Sequence, residues 1–219
     1  MPFFKVFHLH PHQHFISCKK TLKKHIFFLT FRRQKETMDI IQLHDKQFKP
    51  YISEQEIQDI VKNIAKRLEN DYPTFKNPLF LVILNGSFMF ASDLMKYFKL
   101  PCEISFVRFS SYIDTQTTGN VKELIGLNED VSNRTVIVLE DIIDTGHTLE
   151  KIINTLKQHN NTDYRIASVF FKPNSYQLSH PIHYIGKEIP NDFIVGYGLD
   201  YNGLGRNLSS VYVLHSPNS

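Results

Sequence analysis

The stretch VIVLEDIIDTGHTL, residues 136–149, decides how this chain is expected to fold. It begins with a continuous apolar run, which is typical of a strand buried inside a parallel sheet. Two adjacent acids, Glu140 and Asp141, follow the run, and a third, Asp144, precedes a helical pattern. A strand, a short turn and a helix in this order predict an α/β fold. Ligands of such folds bind at the carboxyl ends of the strands, so this turn is expected to carry a site.

The turn after the acids has the chemistry of a phosphate site. Free backbone N–H groups at a helix N-terminus, together with hydroxyls, favour an anion, and the turn supplies Thr145, Gly146, His147 and Thr148. Glu140 and Asp141 would repel a bare phosphate, but they suit ribose hydroxyls or magnesium. The residues therefore indicate a sugar phosphate. The structural alternative is that Asp144 only caps the helix and the other two acids face solvent.

The alternation of strands and helices continues on both sides of this stretch. A capping box at Ser53 and Glu56 predicts a helix, which Asp71-Tyr72-Pro73 ends. The remaining predicted strands are 79–84, 104–109 and 166–171, and the remaining helices are 89–98 and 148–159. We therefore predict a central parallel sheet flanked by helices. A polar loop at 110–120 is expected to be mobile, and a small C-terminal hood or flap is expected at about residues 180–214.

Composition excludes several classes of protein. The chain has 219 residues, of which 42% are hydrophobic, enough to bury a sizeable core. Two cysteines, Cys18 and Cys102, provide no disulfide framework and fit a reducing compartment, so a cytoplasmic location is expected. No apolar run reaches membrane-spanning length. Residues 38–219 carry 17 basic and 21 acidic residues, so a nucleic-acid partner is not expected.

Residues 1–37 differ from the rest of the chain. They hold eight basic residues but one acid, and five of the eleven histidines. The alternating His8, His10, His12 and His14 could bind a metal weakly or be incidental, and a transit peptide is a further alternative. Globular patterning starts at Met38. Our hypothesis is that Met38 is the working start, and that residues 1–37 form an upstream extension before the domain at 38–219.

The segment from Glu140 to Thr148 resembles the phosphoribosyl-pyrophosphate motif of type I phosphoribosyltransferases, and more narrowly that of the hypoxanthine (hypoxanthine-guanine) phosphoribosyltransferases. Further matches to the family occur in chain order: the pyrophosphate loop at 84–90, the closing loop at 110–119, the purine-recognising lysine at Phe171-Lys172, the purine flap at 189–201, and Arg206. The resemblance covers the chain from about Met38 to Leu214.

The resemblance implies a purine-salvage transferase. Such an enzyme joins hypoxanthine, and also guanine, to 5-phosphoribosyl-1-pyrophosphate with the help of magnesium, as a homodimer or homotetramer. Two alternatives remain open from the residues alone: a phosphoribosyltransferase that prefers xanthine, and a nucleic-acid-binding regulator with the same fold, because a fold does not determine a function.

The resemblance also implies roles for individual residues. Asp144 would accept the proton of purine N7, Glu140 and Asp141 would hold the ribose hydroxyls and a metal, and Asp200 would hold magnesium. The residues from Thr145 to Thr148 would bind the 5-phosphate. Pyrophosphate would be bound by Asn85, Gly86 and Arg206; the purine by Lys172, Phe193 and Ile194; and the closing loop would use Ser111 and Tyr112. The chain departs from the family at Asn85, where lysine is frequent, and at His147, where lysine or a small polar residue is common.

Overall fold

A six-stranded sheet forms the centre of the computed structural model, which describes residues 39–109 and 123–215. The strands of the described residues are β1 (Ile41–Leu43), β2 (Lys46–Ile52), β3 (Leu79–Ile83), β4 (Glu103–Phe109), β5 (Glu123–Ile125), β6 (Val136–Ile143), β7 (Tyr164–Phe171), β8 (Tyr184–Glu188), β9 (Ile194–Val195) and β10 (Val211–Leu214). The central sheet has the order β5-β4-β3-β6-β7-β8. Its strands are parallel except for β5, which pairs antiparallel with β4 at one edge.

Helices cover both faces of the central sheet, which confirms the expected fold class. The helices are α1 (Glu54–Asp71), α2 (Phe88–Tyr97) and α3 (His147–Gln158). Side chains of α1 and α2 pack on one face of the sheet, and those of α3 pack on the other. The capping box is present, because the Ser53 hydroxyl accepts a 3.2 Å hydrogen bond from the Glu56 N–H. Among residues 39–109 and 123–215, none of the helices has the length and hydropathy of a membrane-spanning segment.

Strand β6 is longer than the sequence indicates. We expected it to end at Leu139, before the acids, but it continues to Ile143. The extension follows from pairing with β7, whose Phe170 and Phe171 lie opposite Ile142 and Ile143. Glu140 and Asp141 are therefore strand residues rather than loop residues. Their backbones are held by the sheet, which suits groups that must be placed accurately.

The second sheet differs from the expected C-terminal flap. This sheet, which we call the hood sheet, has the order β1-β2-β10-β9 and is antiparallel throughout. It is built from both ends of the described chain. The range 180–214 also contains β8, which belongs to the central sheet. The sequence did not predict either feature, because β1 and β8 are short and partly exposed, and β2 and β10 pair across most of the described chain.

Candidate active site

The candidate site lies where the central strands β3, β6 and β7 end. A cavity of about 310 Å³ is lined by the continuous segment 140–149. A neighbouring cavity of about 200 Å³ shares Glu140, Asp141 and Thr148 with it and adds Gly86 and Phe109. The site is thus a cleft at the carboxyl edge of a parallel sheet, as the sequence predicts.

The phosphate loop, residues 144–148, turns from β6 into α3. Gly146 is the N-cap residue of α3 and has a φ of +94°, which favours glycine. A Cβ atom at Gly146 would lie 2.9 Å from atoms of both Tyr176 and Leu178, so the loop is packed closely from behind. The Gln177 N–H also donates a 3.2 Å hydrogen bond to the Thr145 carbonyl. The loop is held from outside the cavity, which leaves the first N–H groups of α3 available to an anion.

Two carboxyl groups at the end of β6 lie in a poorly solvated position. Glu140 is 7% exposed, and burial, together with the neighbouring Asp141 charge, holds its pKa well above its usual range. Burial also raises the pKa of Asp141 to about 6, although two backbone hydrogen bonds and the Arg206 charge oppose the rise. The Ser87 hydroxyl lies 3.5 Å from Glu140 Oε2. Hydrogen bonds from further hydroxyl groups, or a nearby cation, would stabilise the charged form of both carboxyl groups.

Asp144 and Lys172 form an ion pair across the ends of β6 and β7. Lys172 Nζ donates to Asp144 Oδ2 at 2.8 Å. The Lys172 side chain is almost fully buried, whereas that of Asp144 is about half exposed. The Lys172 N–H also donates to the Ile143 carbonyl at 2.9 Å, so the lysine backbone continues the pairing of the two strands. A buried cation and an accessible carboxylate thus lie side by side beside the phosphate loop.

The first part of the expected pyrophosphate loop, residues 84–87, lies against the end of β6. A Cβ atom built on Gly86 would be 1.6 Å from Asp141 Oδ2, so only glycine permits this approach. Gly198 packs against the same loop from the hood side, and a Cβ atom there would be 1.9 Å from the Gly86 carbonyl oxygen. The peptide between Leu84 and Asn85 is cis. Three chain segments distant in sequence therefore meet at Gly86.

Asp200 and Arg206 lie together next to this contact. Arg206 Nη2 is 2.5 Å from Asp200 Oδ1, and Arg206 Nη1 donates to the Gly198 carbonyl at 2.6 Å. The Gly203 N–H donates to Asp200 Oδ2 at 2.6 Å. The charges of both Asp200 and Arg206 also act on the Asp141 carboxyl. The arrangement places a guanidinium group and carboxylates around one end of the cleft.

The carboxylates of Glu140, Asp141 and Asp200 suit a magnesium ion only if the substrate supplies further ligands. Carboxylate oxygens are the hard ligands that magnesium prefers. Within residues 39–109 and 123–215, however, no group of three or more His, Cys, Asp or Glu side chains is arranged to hold a metal. Magnesium is commonly held by one or two carboxylates together with substrate phosphates. Asp200, Glu140 and Asp141 are therefore suitable partners for a metal that arrives with a phosphorylated substrate.

Phe193 and Ile194 lie at the start of β9 in the hood sheet, and the residues that line the two cavities do not include them. Phe193 is 44% exposed, while Ile194 is buried in β9. The Phe193 ring packs against two aromatic rings, since its centroid lies 5.8 Å from that of Tyr201 and 6.1 Å from that of Phe48. An aromatic ring that is packed in this way and still partly exposed is suited to stacking on a flat heterocycle.

Comparison with known proteins places this site in a family. Residues 51–202 match the phosphoribosyl transferase domain family. The chain belongs to the phosphoribosyltransferase family. A hypoxanthine-guanine phosphoribosyltransferase of Staphylococcus aureus is 37% identical over 174 residues, which are 78% of this chain and 96% of that protein. One of Staphylococcus epidermidis is 39% identical over 165 residues, or 74% of this chain and 91% of that protein.

Solved structures of phosphoribosyltransferases share the fold. A crystal structure of a hypoxanthine phosphoribosyltransferase from Staphylococcus aureus has a TM-score of 0.70 and 37% identity, covering 76% of this chain and 91% of that one. A 1.4 Å structure of the hypoxanthine phosphoribosyltransferase of Trypanosoma cruzi has a TM-score of 0.68 and 28% identity, covering 76% of this chain and 96% of that one. The fold class and the family resemblance are thereby confirmed.

The roles of the individual site residues in this phosphoribosyltransferase remain predictions. The structure brings together the phosphate loop, the end of β6, the pyrophosphate loop, Lys172 and the Asp200–Arg206 pair. Ser111 and Tyr112 lie outside the described residues. Asp93 and Tyr197 were not predicted from the sequence, and they form a buried hydrogen bond between α2 and the segment after β9. The one available signal was an acid among the apolar residues of α2, because such an acid requires a partner.

Proposed function

We propose that this phosphoribosyltransferase transfers the 5-phosphoribosyl group of 5-phosphoribosyl-1-pyrophosphate to N9 of hypoxanthine and of guanine. The products are inosine or guanosine monophosphate and pyrophosphate. The observation that carries the proposal is the 2.8 Å contact between Asp144 and Lys172 beside the phosphate loop. This contact joins a carboxylate and a cation at the place where a base would lie next to a bound sugar phosphate.

The sugar phosphate is bound by the end of β6 and by the phosphate loop. The N–H groups at the start of α3 and the hydroxyls of Thr145 and Thr148 bind the 5-phosphate. Glu140 and Asp141 accept hydrogen bonds from the ribose 2- and 3-hydroxyls. These hydrogen bonds suit carboxyl groups whose pKa values burial has raised, because they replace the lost solvation.

The base is recognised by a donor and an acceptor. Lys172 donates to the 6-oxo group, and Asp144 accepts the proton of N7. An amino group at position 6, as in adenine, would face the ammonium with a second donor, so the site rejects it. Phe193 stacks on the ring, and the main chain of Ile194 meets its position-2 edge.

The reaction exchanges one bond at C1 of the ribose for another. The N9 electron pair forms the new bond as the bond from C1 to the pyrophosphate oxygen breaks, and the N7 proton passes to an Asp144 carboxylate oxygen. Arg206 and the backbone at Asn85 and Gly86 bind the departing pyrophosphate. Magnesium held by Asp200, with Glu140 and Asp141, would neutralise charge on that group.

The proposal also includes a homo-oligomeric state and a cytoplasmic location. Ile104 and Phe106 of β4 are each 41% exposed, and an apolar strand surface of this kind supports a homodimer or homotetramer. Cys102 is a free, exposed thiol, which supports a reducing compartment such as the cytoplasm. We also propose that the domain begins at Met38 and that residues 1–37 form an upstream extension. The mass of the native N-terminus tests this boundary.

The test is an assay of the full chain with 5-phosphoribosyl-1-pyrophosphate, magnesium and each of four bases. We expect turnover of hypoxanthine and guanine, little of adenine, and loss of turnover in an Asp144→Asn variant. Xanthine as the best substrate would correct the choice of base. A folded protein that turns over no base but binds RNA in a salt-dependent manner would overturn the proposal in favour of a regulator.

A further inference from the structure

Asp93 is a buried carboxylate that joins α2 to the hood loop, residues 196–200. It is 8% exposed and accepts hydrogen bonds from the Tyr197 hydroxyl at 2.9 Å and from Gln58 Nε2 at 2.7 Å. Lys96 Nζ donates to its other oxygen at 2.7 Å. Burial alone would raise the pKa of Asp93, but the donors Lys96, Gln58 and Tyr197 together keep it below its usual value. The group is therefore a charged acceptor whose hydrogen bonds fix three elements together.

Tyr197 is the part of the hood loop that this carboxylate holds. The tyrosine is 1% exposed and has a φ of +49°, a conformation that is uncommon for residues with a side chain. Its neighbours Gly196 and Gly198 also have positive φ values, of +100° and +96°. The loop reverses tightly at this point, so the buried phenol acts as the anchor of an otherwise glycine-rich turn.

The anchored turn carries the residues assigned to pyrophosphate and metal. Gly198 lies against the Gly86 carbonyl and exchanges two hydrogen bonds with Arg206, one from the Gly198 N–H at 3.0 Å and one from Arg206 Nη1 at 2.6 Å. Arg206 in turn pairs with Asp200. On the other side, α2 begins two residues after Gly86 and carries Asp93. A closed ring of contacts therefore runs from Gly86 through α2, Asp93, Tyr197 and Gly198 back to Gly86.

We infer that Asp93 and Tyr197 are positioning residues that set the distance between the pyrophosphate loop and the Asp200–Arg206 pair. The inference rests on the proposed function and deepens it. Neither residue touches substrate in this scheme. Their hydrogen bond acts on the pyrophosphate end of the cleft. The residues proposed for the purine are held by other contacts: Lys172 by Asp144 and β6, and Ile194 by the pairing of β9 with β10. Loss of the Asp93–Tyr197 hydrogen bond should therefore weaken the binding of 5-phosphoribosyl-1-pyrophosphate and leave the binding of the purine nearly unchanged.

The chain offers a matched control for a purely structural role. Tyr184 is a second buried tyrosine, 3% exposed, and its hydroxyl donates to Asp71 Oδ2 at 2.7 Å. It lies at the amino end of β8, at the edge of the sheet opposite the cleft. Tyr184→Phe and Tyr197→Phe remove the same kind of hydrogen bond. A general loss of stability would affect both variants alike.

The experiment compares the two variants of the full chain at a temperature well below both melting points. We expect Tyr197→Phe to raise the KM for 5-phosphoribosyl-1-pyrophosphate about tenfold, the size of effect typical of a lost hydrogen bond to a charged group. The KM for hypoxanthine should stay within about twofold, and Tyr184→Phe should change neither value. Asp93→Asn, which keeps an acceptor for the phenol, should retain more affinity than Asp93→Ala.

A calorimetric titration with pyrophosphate and magnesium separates this inference from the proposed function. If the wild type binds pyrophosphate but turns over no purine, the proposed function fails, while the relative affinities of the two tyrosine variants still decide the inference. Equal changes in both KM values, equal effects of the two variants, or a wild type that binds no pyrophosphate would each overturn it. If Tyr197→Phe does not fold, Asp93→Asn and Tyr184→Phe form the comparison.

Discussion

The Lys172 ammonium and the Asp144 carboxylate lie 2.8 Å apart at the ends of two adjacent parallel strands. The lysine is buried, and Asp144 is the partner of its one ion pair among the described residues. A single carboxylate therefore compensates a buried cation and also faces the cleft. Because this carboxylate is also the proposed acceptor of the N7 proton, binding of a base is expected to redistribute the hydrogen bonds of the pair.

Asp144→Asn is expected to reduce kcat about a hundred- to ten-thousand-fold, the range typical of a lost general base. The substitution keeps the shape of the side chain and still offers Lys172 an oxygen, so the protein should remain folded. Initial rates with hypoxanthine, together with a melting curve, measure both effects. A variant whose kcat stays within threefold of the wild type would show that Asp144 does not accept the proton.

Gly198→Ala is expected to abolish activity, whereas Gly203→Ala is not. Both glycines have positive φ, of +96° and +88°, so both substitutions carry a similar backbone cost of about 1 kcal/mol. Only at Gly198 would the new Cβ meet an obstacle, 1.9 Å from the Gly86 carbonyl oxygen, while nothing lies within 4 Å at Gly203. Pyrophosphate affinity and melting temperature compare the two variants. Similar behaviour would contradict the close packing at Gly86.

His147 is expected to strengthen the binding of the sugar phosphate. It is the first residue of α3 and is exposed in the cavity beside the phosphate loop. A ring N–H at this position can donate a hydrogen bond to a bound phosphate, and alanine cannot. His147→Ala should therefore raise the KM for 5-phosphoribosyl-1-pyrophosphate, whereas His159→Ala, at an exposed position after α3, should not. Equal KM values in the two variants would rule out this role.

His183 is expected to make the fold less stable in acid. Burial, with the nearby Arg165 charge, lowers its pKa below 6.5, and its Nδ1 accepts a 3.1 Å hydrogen bond from the Ile166 N–H. Below about pH 6.5 the unfolded chain binds this proton more readily than the folded one, so stability rises with pH through that window and falls with acid.

The measurement for His183 is the melting temperature between pH 7 and pH 5. His183→Asn, which keeps an acceptor for Ile166, should lose less stability over this range than the wild type. His159→Asn, at an exposed position after α3, serves as the control and should follow the wild type. If His183→Asn and the wild type lose the same stability, the acid sensitivity arises elsewhere.

Local patterns predicted the elements whose neighbours in sequence decide their structure. The helix from Ser53 to Asp71 was predicted closely because its cap, its apolar period and its end signal all lie within one segment. The turn from β6 into α3 was predicted for the same reason. The strands of the hood sheet were not, because β2 pairs with β10, about 160 residues away, and neither strand has a long apolar run.

Local sequence patterns were enough to predict the parallel sheet and the chemistry of the phosphate loop, because apolar periodicity and turn residues act over a few positions. Three sets of contacts are specified only by the folded chain: Lys172 with Asp144, Gly86 with Asp141 and Gly198, and Asp93 with Tyr197. Each of these contacts joins segments separated by tens of residues. Their geometry depends on how the strands and the hood sheet pack, and no local preference of the chain specifies it.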